Sequence, residues 1–254
     1  MKNSGVVSRT NDKDDGRHYT KRHLEELVAL QTSVLQKQAQ ELRRMNERII
    51  ETMSSVVEFR NLESGDHVRR VKDFTRILAG YVVRLYPEYH LDKEDIDVIA
   101  AAAAMHDVGK IAISDTILLK PGRLTEEEFA VMKTHTTKGC EIIDMLGDIQ
   151  EGEYGRASYE ICRYHHERYD GKGYPDGLKG EEIPIAAQIV SVADAYDALV
   201  SERCYKNAYT PAEAYDMIVR GMCGQFSPKL LTCLKWAREE FEERVAMNRQ
   251  EPTR

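Results

Sequence analysis

Apolar residues recur every seven positions between Lys21 and Phe59, at Val28, Leu35, Leu42, Ile49 and Val56. The companion column reads Leu24, Gln31, Gln38, Met45 and Thr52, so one seam is fully apolar and the other is half polar. That spacing predicts a single long amphipathic helix. Its narrow stripe either pairs with a second copy as a coiled coil or lies on the chain's own domain. The charged residues and glutamines that flank it favour self-association. Ahead of the helix, residues 1–19 are polar and show no period, which predicts a disordered tail.

Beyond residue 60, helical patterns follow one another to about residue 250 with no alternating strand, so the expected fold is all-α. Asp92 can cap a helix that runs through Ile96, Ile99 and Ala103 towards His106. Thr125 and Glu128, and again Thr210 and Glu213, have the spacing of a capping box, with Pro211 at the first helical position. Ser227-Pro228 repeats the start signal before a closing helix from Lys229 to about Val245. Two stretches interrupt the rhythm: the turn Lys120–Arg123, and Tyr169–Gly180, which holds four glycines and one proline.

Composition narrows the class. At 254 residues the chain accommodates one well-buried domain with an extension, or two small domains. Its longest apolar run, Val98–Met105, is too short to span a bilayer. The first residues lack the apolar stretch of roughly 7–15 residues that a signal peptide needs, so a cytoplasmic location without membrane insertion is expected. Five cysteines with no C-x-x-C spacing suggest neither a disulfide framework nor a zinc ribbon. A net charge of −7 argues against a surface for duplex nucleic acid but leaves room for a small anion held by local cations.

The chemistry lies in the histidines. Five of the eight fall into one pattern, His67, His106, His135, His165 and His166, with Glu63, Asp107 and Asp194 around them. One zinc ion takes about three or four protein ligands. Eight candidate ligands suit a cluster of two or three ions, and bridging carboxylates are what two-metal hydrolysis of phosphate esters requires. In His106-Asp107-x-x-Lys110, neighbouring helical side chains diverge by about 100°. His106 and Asp107 can therefore address different positions around an ion, and Lys110 can neutralise a phosphate oxygen from the same face. Taken alone, the dipeptide reads first as a capped helix end.

With His135, the run His165-His166-Glu-x-x-Asp170-Gly-x-Gly173-Tyr174-Pro175, then Asp194, Asp197-Ala198-Leu199 and Ser201-x-Arg203-x-Tyr205-Lys206, the constellation closely resembles the HD-GYP family of metal-dependent phosphohydrolases. The match extends from Glu58 to about Phe226. It implies an all-α HD-superfamily helical bundle that hydrolyses cyclic di-GMP to pGpG or GMP. By position, His106, Asp107, His135, His165, His166 and Asp194 correspond to the ligands of a two-metal centre, and Glu63 with His67 to a pair that can add a third ion. Iron or manganese is the expected metal, with zinc, cobalt or nickel as alternatives. Asp107 and Lys110 are the expected catalytic residues; Lys110, Arg203, Lys206 and Tyr174 are the expected substrate contacts.

Tyr174 either stacks on a guanine or plugs its loop. Glu167 and Asp170 either orient ligand imidazoles or cap the loop. Departures from the family pattern fall at Asn61, Leu62, Ser64, Cys204 and Ser227-Pro228 and remove no ligand. The alternatives are a phosphohydrolase of another nucleotide or cyclic dinucleotide, an HD-type di-iron oxygenase, and a non-catalytic nucleotide receptor. A homodimer through the N-terminal helix and an upstream sensory partner complete the expectations.

Overall fold

The computed structural model describes residues 12–60, 66–146, 152–202 and 207–250. Helix α1 runs Asp12–Arg60, beginning inside the stretch read as a tail and ending where the seven-residue pattern ends. It is followed by α2 (His67–Leu85), α3 (Lys93–Ala102), α4 (Asp115–Leu118), α5 (Glu126–Lys133), α6 (His135–Asp144), α7 (Glu153–Tyr164), α8 (Ile185–Val200), α9 (Pro211–Val219), α10 (Pro228–Trp236) and α11 (Arg238–Gln250). Short 3-10 turns occupy Ala103–Met105, Val108–Ala112 and Gly180–Glu182. Among the described residues there is no strand.

The chain forms two units, residues 1–48 and 49–254. In the first, Leu24, Val28, Leu35 and Leu42 are all more than half exposed, and Lys21–Glu25 and Arg22–Glu26 pair along the helix. In the second, Ile49 and Val56 continue the exposed column, while Ser54, Val57 and Glu58 on another face are buried.

The core of the second unit is built on α2 and α8. Val68, Val71, Phe74, Leu78 and Val82 recur at three- and four-residue steps and bury one face of α2. Helix α8 is apolar nearly all round, as a helix enclosed by its neighbours must be. Phe74, Tyr196 and Phe241 meet at its centre with ring centroids 4.8–5.0 Å apart. Each ring buries a large apolar area and gains further from tilted contact.

Local start signals act as the sequence implies. Asp92 accepts from Glu94 N at 2.7 Å and Asp95 N at 3.1 Å, and Thr125 and Thr210 form reciprocal capping boxes. Ser227 precedes α10 without a side-chain cap bond. The single closing helix expected from Lys229 is instead two, turning at the fully buried Ala237, which brings Phe241 onto Phe74. The helix from Asp92 also stops short of His106: α3 ends at Ala102 and tightens into a 3-10 turn.

Candidate metal centre

Three of the candidate histidines stand at the end of a helical turn and are oriented by the same device. Helix C-termini leave carbonyls without intrahelical donors. His106 Nδ1 bonds to Ala103 O at 2.8 Å, and His135 Nδ1 to Met132 O at 2.8 Å. His165 Nδ1 reaches Ile161 O at 3.0 Å and Cys162 O at 3.1 Å. Donation through Nδ1 turns each Nε2 inward, where the ring in its neutral form offers a lone pair.

Asp107 receives them. Its Oδ1 lies 3.2 Å from His135 Nε2 and 3.8 Å from His165 Nε2; its Oδ2 lies 3.2 Å from His106 Nε2 and 2.5 Å from Lys110 Nζ. The two carboxylate oxygens thus face two different sets of histidines. Ligand atoms of Asp107, His135, His165 and His166 lie within 4.8 Å of one another, and so do those of His67, His106 and Asp107. Asp194 adjoins the second set, its Oδ1 lying 3.5 Å from His67 Nε2 and 3.9 Å from His106 Nε2.

His67 is oriented differently. Its Nδ1 pairs with Asp197 Oδ2 at 2.7 Å, and Asp197 takes Arg70 Nε at 2.6 Å and Nη2 at 3.1 Å. Sequence reading included Asp197 in the family match but gave it no role, and it missed Arg70. The available signal was spacing: Asp197 follows Asp194 by three residues and Arg70 follows His67 by three, so each shares a helix face with a candidate ligand.

The electrostatics suit cations. Burial keeps His135 and His166 below the ordinary imidazole range and takes His165 down to about 3, so these rings stay neutral, the form that ligates metals. Burial opposes charge on His106, but the adjacent Asp107, then Asp194 and Glu58, outweigh it and bring it up to about 10. Burial also opposes charge on Asp107, yet Lys110 and His106 hold its carboxyl well below the usual range. His106, His135 and His165 Nε2 and Asp107 Oδ1 are buried and make no hydrogen bond of ordinary geometry. Buried polar atoms rarely stay unpaired. Such atoms, His135 and His165 Nε2 with Asp107 Oδ1 in one set and His106 Nε2 in the other, fit divalent ions.

Other candidates differ from expectation. Lys110 follows Asp107 by three residues in a 3-10 turn, where its ammonium engages Asp107 and lies 3.8 Å from Glu58 Oε1. It therefore neutralises carboxylates here and does not share an α-helical face with His106. Tyr174 is stacked on His166, centroids 4.8 Å apart and 33° between planes, with Phe129 and His135 against it. It closes the loop over the cluster. Glu167 caps that loop, its Oε1 accepting from Asp176 N at 2.8 Å and Gly177 N at 2.9 Å. Asp170 pairs with Arg168 and accepts from Lys172 N, so neither acid orients a ligand ring. Glu63, Arg203 and Lys206 lie outside the described residues.

Close backbone approach explains two glycines. A Cβ on Gly109 would fall 1.9 Å from His135 O, and one on Gly173 would fall 2.4 Å from Glu167 Cα. These contacts bring the His106–Asp107 segment onto α6 and fold the Tyr174 loop onto His166. Beside the cluster, a cavity of about 440 Å³ is bounded by His165, His166, Asp194, Tyr174, Arg168 and Phe226. A more open cleft of about 760 Å³ by Arg156, Tyr159 and Leu178 shares no residue with the cluster.

Residues 22–230 match the model of the HD domain family. The chain is 38% identical over 199 residues to a cyclic di-GMP phosphodiesterase of Vibrio cholerae, covering 76% of this chain and 39% of that protein. It is 35% identical over 212 residues to a 3'3'-cGAMP-specific phosphodiesterase of the same organism, covering 84% and 38% respectively. The chain thus spans about two-fifths of the length of these curated relatives. Among solved structures, an HDG"Y"P protein of Bdellovibrio bacteriovorus superposes with a TM-score of 0.50 at 18% identity, over 70% of this chain and 54% of that one.

Proposed function

This chain belongs to the HD domain family, in its HD-GYP type, and from that premise we propose that it is a metal-dependent phosphodiesterase acting on cyclic di-GMP. The observation that carries the reading is the position of Asp107, with one oxygen on His135 and His165 and the other on His106. A carboxylate so placed can bridge two ions. His135, His165 and His166 would hold one; His106, His67 and Asp194 would hold another, with Glu63 available for a third. The imidazole and carboxylate donors suit iron or manganese.

A phosphodiester is anionic and repels an incoming hydroxide. When bound, divalent ions supply a lowered water pKa and a charge clamp for in-line attack at phosphorus. The chain's residues do the rest. Asp107 fixes the separation of the two ligand sets, and Lys110 adds a positive charge beside it. Tyr174 and His166 wall the cavity that would take the nucleoside, and Arg203 and Lys206 are the phosphate partners implied by the family pattern. An oxygenase would need no cation such as Lys110 beside its ligands.

The reading includes a homodimer through α1, supported by the exposed column Val28, Leu35, Leu42, Ile49 and Val56, and a signal received from a partner or upstream segment. Among the described residues no helix is long and apolar enough to cross a membrane; the proposed location is the cytoplasm.

Chromatography of the products tests the substrate. Anaerobically purified, metal-replete protein should convert cyclic di-GMP to pGpG or GMP, at a kcat/KM above that for 3'3'-cGAMP. The reverse preference reassigns the substrate, and tight binding without turnover makes the chain a receptor.

A further inference from the structure

Lys110 is held at both ends by the last turn of α1. Its ammonium lies 3.8 Å from Glu58 Oε1, and Glu58 is only 1% exposed. Its carbonyl belongs to a group of three that converge on the Arg60 guanidinium. Nη1 donates to Lys110 O at 3.4 Å and to Ile111 O at 2.9 Å, and Nη2 donates to Ile113 O at 2.8 Å. Asp115 anchors the same guanidinium, accepting from Nε at 2.8 Å.

The chemistry requires these residue types. Lys110 O also accepts from Ile113 N at 3.1 Å, but carbonyls at the end of a 3-10 turn keep acceptor capacity for further donors. Only arginine carries five N–H donors in a rigid fork that can serve three of them and a carboxylate together. A lysine is a point charge on a flexible stem. Glu58 faces the other end of the clamped residue, where a buried carboxylate needs a cation nearby. Neither Glu58 nor Arg60 belongs to the two ligand sets, and neither borders the cavity beside them.

We propose that Glu58 and Arg60 are positioning residues that fix Lys110 beside Asp107, so that the end of α1 sets where positive charge stands at the centre. The inference rests on the phosphodiesterase reading, because Lys110 acts on phosphate only there. Displacing the last turn of α1 carries the backbone and ammonium of Lys110 with it.

The experiment uses the full chain, purified anaerobically, with Arg60→Gln, Arg60→Lys, Lys110→Ala and the Arg60→Gln/Lys110→Ala double variant. Metal content, kcat/KM on cyclic di-GMP and the mass-spectrometric rate of reductive methylation at Lys110 are measured. Arg60→Gln should keep its metal, lose about ten- to a hundredfold in kcat/KM, and methylate faster at Lys110. Arg60→Lys should recover only part of the loss. In the Lys110→Ala background, Arg60→Gln should cost almost nothing further, since residues acting as one unit are not additive. Multiplicative losses in the double variant, metal loss in Arg60→Gln, or an unchanged methylation rate overturns the proposal. If the wild type itself leaves cyclic di-GMP intact, the phosphodiesterase reading fails, and methylation alone then decides whether Arg60 holds Lys110.

Discussion

Asp107 is 7% exposed, yet its charge is retained because Lys110 and His106 stand against it. Removing it takes away the only carboxylate common to both ligand sets among the described residues. Asp107→Ala should therefore lower the metal content and abolish turnover while far-UV circular dichroism stays near wild type; full metal content in that variant would assign the bridge elsewhere. Asp197 predicts a stability effect. It is fully buried between His67 and Arg70, so Asp197→Ala removes the buried carboxylate that both side chains face. Loss of one partner from a buried pair costs about 3–5 kcal/mol, readable as a fall in the urea midpoint of metal-free protein. A change below about 1 kcal/mol, the range of an exposed pair, would show that the contact contributes no more than a surface one. The candidate histidines stand out because the chain has only eight, whereas Glu63, Asp107 and Asp194 among 43 acidic residues were assigned through the HD-GYP resemblance. The partnerships of Asp197 with Arg70 and of Arg60 with three carbonyls were not legible, because they depend on which helices pack together.

At the scale of elements, the caps on α3, α5 and α9 were legible because each is a local exchange between residues three apart. The break at Ala237 and the 3-10 tightening before His106 arise from packing at a distance, and periodicity carries no trace of either. Of the four glycines in the loop Tyr169–Gly180, Gly173 serves close approach, while Gly171, Gly177 and Gly180 take positive φ. Gly109 extends the point: a methyl there meets the carbonyl of His135. Gly109→Ala should destabilise the metal-free protein by about 1–3 kcal/mol in urea unfolding and lower its metal content as His135 moves; a neutral result would mean that the segment relaxes freely. For α1, the exposed column needs a partner surface, and each Val, Leu or Ile fully buried contributes about 1.5–3 kcal/mol. Leu35→Lys with Leu42→Lys should yield a folded monomer by light scattering, whereas a dimer in that variant would place the interface outside α1.

At the scale of the whole molecule, one helical domain gathers six segments of chain at a single point: the starts of α2 and α6, the turn after α3, the end of α7, the middle of α8 and the Tyr174 loop. The all-α class follows from periodicity alone, whereas the convergence follows from the order of the motifs, which the HD-GYP resemblance supplied. A net charge of −7 would give the proposed cyclic dinucleotide no general attraction, so its capture would depend on divalent ions and cations held locally at the centre. The central claim is a bridged centre of more than one ion that performs the hydrolysis. Elemental analysis of anaerobically purified protein, read against turnover of cyclic di-GMP before and after exhaustive chelation, tests it most directly. At least two divalent ions per chain, with activity lost on chelation and restored by iron or manganese, is the predicted result. One ion at most, or undiminished activity after chelation, would contradict it.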